Sequence, residues 1–536
     1  MRYNDMAVTV TINGKKVQAP AGALLIDVCR EIGIDIPHFC YHPGLGPDGN
    51  CRMCQVDFVG PRGNKLGISC KAVVTEGMEV LTDSDAAKRA RASVEEMLLL
   101  NHPLDCPICD KAGECTLQNY YMEHDLQPGR QDFTRFKKEK AKDIGPTLVL
   151  DQERCVLCDR CVRFLRDVAK EEQLYIAGRG HEAFIATFPG QDVTSPYSIN
   201  TVDLCPVGAL TAKDFRFNSA TWFLKNTNSV CTTCARGCSM QVQTKKDRVY
   251  RVRPRFNPEV NGYWACDEGR LNYQFVNQDR LHAPFVRRGG ETFECSVQEA
   301  VAEMRGRFGF RPAGPIDRPS SKKSLVLISA AATLEEMFLA KRLADECLNA
   351  PAVVARHAPD GVDDHLLRRA DRHPNARGAE MLGLRVVDLQ RGQGGDVRKL
   401  LGPDDVLMAI GFNQHAEAIA PLWQSAGAVI ALSGCKSALT ERADLVVPGL
   451  TFAEKDGLVV NFEGHVQQLR PAIDAKGESE WRILDALISS LMGTAAHKTV
   501  AQVRAAIGAA VPAFAGVDLV RIPLTGVRAA AQAVAS

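Results

Sequence analysis

Four groups of cysteines, one of them joined by a histidine, are spaced as metal ligands along this chain. The first runs Cys40-x10-Cys51-x2-Cys54-x15-Cys70. Four thiolates suit an iron–sulfur cluster or a zinc ion. The loop that opens the group holds Gly44, Gly46 and Gly49 with Pro43 and Pro47. Glycines let backbone N–H groups approach sulfide, and such hydrogen bonds tune a cluster's potential. The long glycine-rich loop and the hairpin–helix order before it favour [2Fe–2S] over zinc. Plant-type ferredoxins use a related, shorter first spacing. The second group is His102-x3-Cys106-x2-Cys109-x5-Cys115. Three thiolates leave one iron of a [4Fe–4S] cluster without a ligand. His102 either supplies it through a neutral ring nitrogen or caps carbonyls at a helix end, and spacing alone leaves the two balanced.

The third group opens as Cys155-x2-Cys158-x2-Cys161, the start of a bacterial ferredoxin run whose fourth cysteine normally follows after three residues and precedes proline. Leu165 stands there instead, and the Cys-Pro pair appears later as Cys205-Pro206. Counting back from Cys205 by the same spacing reaches Thr201, Ser198 and Ser195. All four ligands of one cluster are present and all four of the other are absent, as in a two-cluster ferredoxin fold that keeps one [4Fe–4S]. The fourth group is Cys231-x2-Cys234-x3-Cys238-x27-Cys266, suited to [4Fe–4S] with zinc as a competitor. Of 19 cysteines, 15 fall in these groups, and His102 completes four sets of four. Cys29 and Cys347 read as core residues on apolar helix faces, and Cys295 and Cys435 have no companions at ligand spacing.

The elements that must carry these groups are legible. Val8, Val10 and Ile12 alternate with Thr9 and Thr11 as a half-buried strand, and Asn13-Gly14 makes a hairpin turn. A helix is expected near Leu24–Ile32, and another over Ala86–Asn101 that Pro103 stops. Met240–Thr244 and Arg248–Arg253 read as a hairpin around a Lys-Lys-Asp turn. Beyond residue 320, apolar strands at Leu325–Ser329, Val353–Arg356, Arg385–Leu389, Val406–Gly411, Val429–Ser433 and Leu445–Val447 alternate with helices, one opened by a Thr333/Glu336 capping box. This implies a parallel sheet covered on both faces. No G-x-G-x-x-G follows any of these strands, so no dinucleotide site is expected, and Gly392–Gly395 reads as a flexible loop. Arg311–Ser324 reads as a linker, and the basic run Arg135–Lys142 as a solvated connection rather than a docking patch.

The chain has 536 residues, 45% hydrophobic and 24% charged, with a formal net charge of +1. The near-neutral balance argues against a nucleic-acid binder. No apolar run approaches a membrane span, and the N-terminus shows no secretory signal pattern. Loading three all-thiolate clusters and one histidine-bearing cluster would move the net charge to roughly −6.

The four groups in this order resemble the large iron–sulfur subunit family of bacterial NADH:quinone oxidoreductase, respiratory complex I, over roughly residues 7–270. The His102/Cys106/Cys109/Cys115 box is the most specific part, and the resemblance implies that His102 is a cluster ligand. The run Asn261–Arg270 is similar to the cluster domain of molybdopterin enzymes, although Glu268 stands where those often carry a basic residue. Glu454-x2-Gly457-x3-Asn461-x-Glu463-Gly464-His465-x-Gln467 resembles a molybdopterin-oxidoreductase signature, with Leu458 and His465 departing from its usual Thr and Arg.

Together these imply an α+β and α/β multidomain chain. Residues 1–84 are expected as a β-grasp 2Fe-2S ferredoxin-type domain, 85–124 as a His-Cys 4Fe-4S segment and 145–222 as a one-cluster ferredoxin-like domain. Residues 223–285 are expected as a molybdopterin-oxidoreductase-type 4Fe-4S domain and 320–536 as a reduced, cofactor-free α/β remnant that packs and docks. The implied function is an electron wire with no catalytic site of its own. It would take electrons from a flavin subunit that oxidises NADH and pass them toward quinone-side iron–sulfur subunits, on the cytoplasmic face of a membrane reached only through partners. The alternatives are the electron-input part of a hydrogenase or formate dehydrogenase complex and a diaphorase subunit. Their further cysteine motifs or intact pterin region are missing after residue 270, and a diaphorase subunit usually stops before the fourth group.

Overall fold

The computed structural model describes residues 4–125, 128–310, 323–391 and 396–529. Gly392–Gly395 and nearly all of the linker Arg311–Ser324 lie outside them. The chain divides into two units, Met1–Leu224 and Lys225–Ser536.

The first unit opens with strands β1 (Asn4–Ile12) and β2 (Lys15–Ala21), paired antiparallel around the Asn13-Gly14 turn, where both residues take positive φ. With β3 (Gln55–Phe58), β4 (Lys65–Ile68) and β5 (Glu79–Leu81) they form one sheet in the order β2-β1-β5-β3-β4, in which β1 and β5 run parallel. The helix Leu25–Glu31 lays Leu25, Val28 and Cys29 against Val10, Ile12, Val56 and Val80. Cys29 is fully buried there, and burial pushes its thiol up to about 12, the behaviour of a core residue. The helix Asp85–Leu99 is capped by Ser84 and buries Arg91, whose guanidinium donates to the carbonyls of Gln55 and Thr82.

The rest of this unit is a small ferredoxin-like body. Strand β7 (Leu148–Leu150) pairs antiparallel with β6 (Lys142–Asp143) on one side and β10 (Leu210–Ala212) on the other, and β8 (Tyr175–Ala177) with β9 (Phe184–Ala186) makes a hairpin. Ser195, Ser198 and Thr201 are buried here. The Ser198 hydroxyl meets that of Thr147 at 2.5 Å, Thr201 donates to the Ser198 carbonyl at 2.6 Å, and Ser195 accepts from the Tyr197 N–H at 3.3 Å. Three ligand-equivalent positions of the second ferredoxin cluster are thus filled by hydrogen-bonded hydroxyls. The basic run 135–142 is mostly exposed, as expected of a solvated connection. Within it the exposed Lys140 reaches Asp105 at 2.5 Å and the buried Glu153 at 2.9 Å.

In the second unit the expected hairpin appears as β12 (Ser239–Lys245) and β13 (Arg248–Pro254), with β11 (Lys225–Val230) added as a third antiparallel strand. The α/β body is an eight-stranded sheet. Its parallel strands are β16 (Ser324–Ser329), β17 (Ala352–Arg356), β18 (Arg385–Asp388), β19 (Val406–Ile410), β20 (Ala428–Leu432) and β21 (Leu445–Val447). They lie in the order β21-β20-β19-β16-β17-β18, a doubly wound arrangement whose direction reverses between β16 and β19. Side chains alternate between the two faces: Val326, Met408 and Ile430 enter one core, Leu327, Leu407 and Val429 the other. The hairpin β14 (Phe285–Arg288) and β15 (Glu291–Glu294) extends the β21 edge antiparallel. It had no strong alternation to announce it, since β15 is exposed throughout. The hairpin β22 (Gly457–Val460) and β23 (His465–Leu469), with β24 (Val527–Arg528), forms a separate small sheet.

Charged groups are buried behind the sheet. Arg280 pairs with Glu454 at 2.8 Å with both side chains almost fully covered, so removing either partner should cost about 3–5 kcal/mol. Lys455 is shared by Glu336 at 2.7 Å and Glu480 at 3.0 Å. Burial, with the Glu336 charge, pushes the Glu480 carboxyl up to about 8. A carboxyl raised on folding contributes stability that is full below its unfolded value near 4.5 and lost as pH rises through about 8. Thermal melts should therefore show this unit losing stability as pH climbs through that window, and Glu480→Gln should flatten the loss. An unchanged slope in the variant would remove Glu480 as its origin.

Candidate iron–sulfur sites

The first set is built by a glycine-rich loop folded over the sheet. Cys40, Cys54 and Cys70 are fully buried and Cys51 partly so. Cys40 lies within hydrogen-bond reach of Cys51 and Cys70, and Cys54 within reach of Cys70, so the four sulfurs form one contiguous group. These bonds hold Cys40 below the ordinary thiol range and Cys51 and Cys70 above it. Backbone N–H groups of Gly49 and Cys51 point at the Cys40 sulfur. Gly49 has φ +85°, a conformation that suits glycine.

The third set lines one cavity. Cys155, Cys158, Cys161 and Cys205 surround it with Leu150, Ile185, Val207 and Leu210. Burial pushes Cys155 and Cys158 up to about 12 and raises Cys161 well above the ordinary thiol range. Buried thiols release their protons only where a cation compensates, which is what bound iron supplies.

The second set is more open. His102, Cys106 and Cys115 line a largely apolar cavity of about 470 Å³ with Leu99, Leu100 and Leu117. Cys106 is exposed. Cys109 stands within electrostatic reach of both Cys106 and Cys115. Burial, then the Arg154 charge, lowers the His102 ring to about 4 and keeps it neutral, the form that ligates metal. Arg154 is itself held by Asp105 at 2.9 Å.

The three sets of the first unit share backbone. A Cβ at Gly208 would fall 2.2 Å from the Cys109 sulfur, so only glycine fits there. The Thr116 N–H donates to the Pro206 carbonyl at 2.9 Å. The segment Cys205–Gly208 thus carries a ligand of the third set and props two residues of the second. On the other side, Arg160 donates to the Tyr41 carbonyl and Arg163 to that of Cys40. The third set is therefore tied to both the first and the second, links that the sequence order of the groups does not suggest.

The fourth set, Cys231, Cys234, Cys238 and Cys266, is buried, and each sulfur feels the charge of others. The Gly269 N–H donates to the Cys266 sulfur at 3.4 Å, and a Cβ at Gly269 would meet the Cys231 sulfur at 2.8 Å. The signature-like residues of the α/β body hold this loop. Gln467 donates to the Gly237 carbonyl at 2.7 Å and accepts from the Ser239 hydroxyl at 3.2 Å. Asn461 donates to the Arg236 carbonyl at 3.2 Å, the Phe462 N–H to that of Ala235 at 3.0 Å, and Arg372 pairs with Glu268. Among the described residues no group of three or more His, Cys, Asp or Glu side chains is arranged to hold a single metal ion.

Comparison with known proteins matches the same segments. Residues 5–85 match a 2Fe-2S iron–sulfur cluster binding domain and 91–130 the NADH-ubiquinone oxidoreductase-G iron–sulfur binding region. Residues 145–211 match the ferredoxin-like domain of NADH-quinone oxidoreductase subunit 3. The G subunit of the NADH-quinone oxidoreductase of Streptomyces coelicolor is 41% identical over 57% of this chain and 38% of its own length. That of Rickettsia conorii is 35% identical over 63% of this chain and 48% of its own length. This chain is similar to G subunits of NADH-quinone oxidoreductase over these segments. It spans less than half the length of these two relatives. Residues 224–278 match a molybdopterin oxidoreductase Fe4S4 domain and 377–490 a molybdopterin oxidoreductase domain. A solved chain of a NAD+-reducing [NiFe]-hydrogenase is 30% identical over 40% of this chain and 90% of its own length, with a TM-score of 0.36, too loose to bear on the fold.

Arg160, Arg163 and Gly208 were not singled out by spacing. The glycine two residues beyond Pro206 was the available hint, since a Cys-Pro-x-Gly turn invites close approach. Two substitutions probe the scaffold. Gly208→Ala should remove the second cluster and Gln467→Ala the fourth, each read as a loss of about four iron atoms per chain. Full iron content in either variant would show that the contact is dispensable.

Proposed function

We propose that this chain is an electron relay of an NADH:quinone oxidoreductase. Cys40, Cys51, Cys54 and Cys70 would hold a [2Fe–2S] cluster. His102, Cys106, Cys109 and Cys115, then Cys155, Cys158, Cys161 and Cys205, then Cys231, Cys234, Cys238 and Cys266 would each hold a [4Fe–4S] cluster. Iron and sulfide would supply the one-electron chemistry, and the protein would bury the sites, orient their ligands and set their potentials. The observation that carries this reading is the contiguity of the first three sets. The two arginines beside Cys161 reach the carbonyls at Cys40, and the turn after Cys205 touches Cys109. A route first–third–second needs no substrate pocket.

Electrons would arrive from a flavin subunit that oxidises NADH and leave for a quinone-side iron–sulfur subunit, in line with the relatives' names. No helix among the described residues is long and apolar enough to cross a membrane. We place the chain on the cytoplasmic face of a membrane complex, held there by its partners. The fourth cluster would lie off the main route, and no molybdopterin would be held. The crevice where the α/β sheet reverses, lined by Ser329, His357, Gly411, Asn413 and Lys455, measures about 70 Å³. Ligand pockets for molecules of cofactor size run to several hundred Å³, roughly 300–1,000. Lys455 is moreover committed to Glu336 and Glu480.

Anaerobically reconstituted chain should hold about 14 iron atoms. About ten irons with one zinc would instead make the fourth site a zinc site. The chain alone should not reduce ferricyanide with NADH, and clear activity without a flavin subunit would defeat the relay reading. His102→Cys should keep a cluster with an altered potential, and an unaltered one would deny His102 its place as a ligand.

A further inference from the structure

Two buried arginines flank Cys161 on the helix Arg160–Arg163, three residues apart and on one face. Arg160 is 9% exposed and Arg163 5%. Arg160 reaches the Leu204 carbonyl at 3.3 Å, next to the ligand Cys205, and the Tyr41 carbonyl, next to the ligand Cys40. Arg163 reaches the carbonyls of Cys40, Gly46 at 3.2 Å and Leu45 at 3.5 Å. Its Nε meets Asp159 at 2.8 Å. Arg160 has no such partner. Its Nε is buried without a hydrogen bond, and among the described residues no carboxylate stands at salt-bridge distance from it. The imidazoles of His38 and His42 stand within electrostatic reach of it and supply no carboxylate.

Carbonyl oxygens solvate a guanidinium but do not neutralise it, and an uncompensated buried charge is strongly disfavoured. Anions on either side would compensate it, and clusters held by thiolates are net anions. We propose that Arg160 and Arg163 form a cationic bridge between the first and third cysteine sets, favouring the reduced state of the centre on Cys40, Cys51, Cys54 and Cys70 and, through Arg160, of the centre on Cys155, Cys158, Cys161 and Cys205. The inference rests on the reading that these sets hold clusters. Reduction adds a negative charge, and a buried cation nearby stabilises it with little screening. Asp159 works against Arg163, since it sits on that guanidinium and within electrostatic reach of Cys40. The bridge thus acts on potential as well as on loop position. A purely structural staple would act only on the second.

Redox titration of the reconstituted full chain, followed by paramagnetic resonance with iron analysis alongside, separates the two. Arg163→Gln should shift the [2Fe–2S] signal to lower potential and Asp159→Asn to higher potential. Arg166→Gln, which removes a half-exposed arginine three residues further on, should shift neither. The shifts should persist at high salt, because the charges are buried. Unchanged potentials in both variants, or shifts in the same direction, would overturn the proposal. If Arg163→Gln fails to load its cluster, Asp159→Asn decides alone, and absence of an upward shift overturns the bridge. Failure of the underlying cluster reading would look different, as absence of the signal from the unmodified chain.

Discussion

The turn after Cys205 is the contact on which the first unit depends. Cys205 completes a set begun far upstream, Pro206 accepts a hydrogen bond from the residue after Cys115, and Gly208 yields its side-chain volume to the Cys109 sulfur. Four residues therefore fix the positions of two donor sets relative to each other. The helix Arg160–Arg163 does the same on the opposite side, binding the loop of Cys40 through carbonyls. Neither tie is a hydrophobic contact, which slides. Both are directional or steric, and they fix the relative positions of the donor sets more sharply than a fluid core would.

The second unit solves a different problem with borrowed parts. A doubly wound sheet normally offers its reversal point to a ligand. Here that crevice is narrow, and the residues of the signature-like segment from Glu454 to Gln467 have other tasks. Glu454 neutralises Arg280, Asn461 and Gln467 hold the cysteine loop, and His465 meets the Thr525 carbonyl at 2.7 Å. The body acts as a mount for the fourth set.

Much of this was legible in the residues alone, for a physical reason. Ligand spacing, strand alternation and caps are local patterns, and the structure carries the six parallel strands, the Thr333/Glu336 box and the buried Cys29 and Cys347 where those patterns lie. Contacts between distant segments have no period. The third set's ties to the other two, the glycine under Cys109, and the burial of Arg160 and Arg163 all arise from loops meeting across the fold. Strands β11 and β15 escaped because polar side chains dominate both.

The hydroxyls of Ser195, Ser198 and Thr201 have a consequence for the history of this fold. Each is buried and hydrogen-bonded where a two-cluster ferredoxin would place a thiolate. Returning one cysteine would break an internal bond without assembling a cofactor, because a cubane needs its ligands together. Every single step back is therefore uphill. Placing a second centre here would take several simultaneous substitutions rather than one.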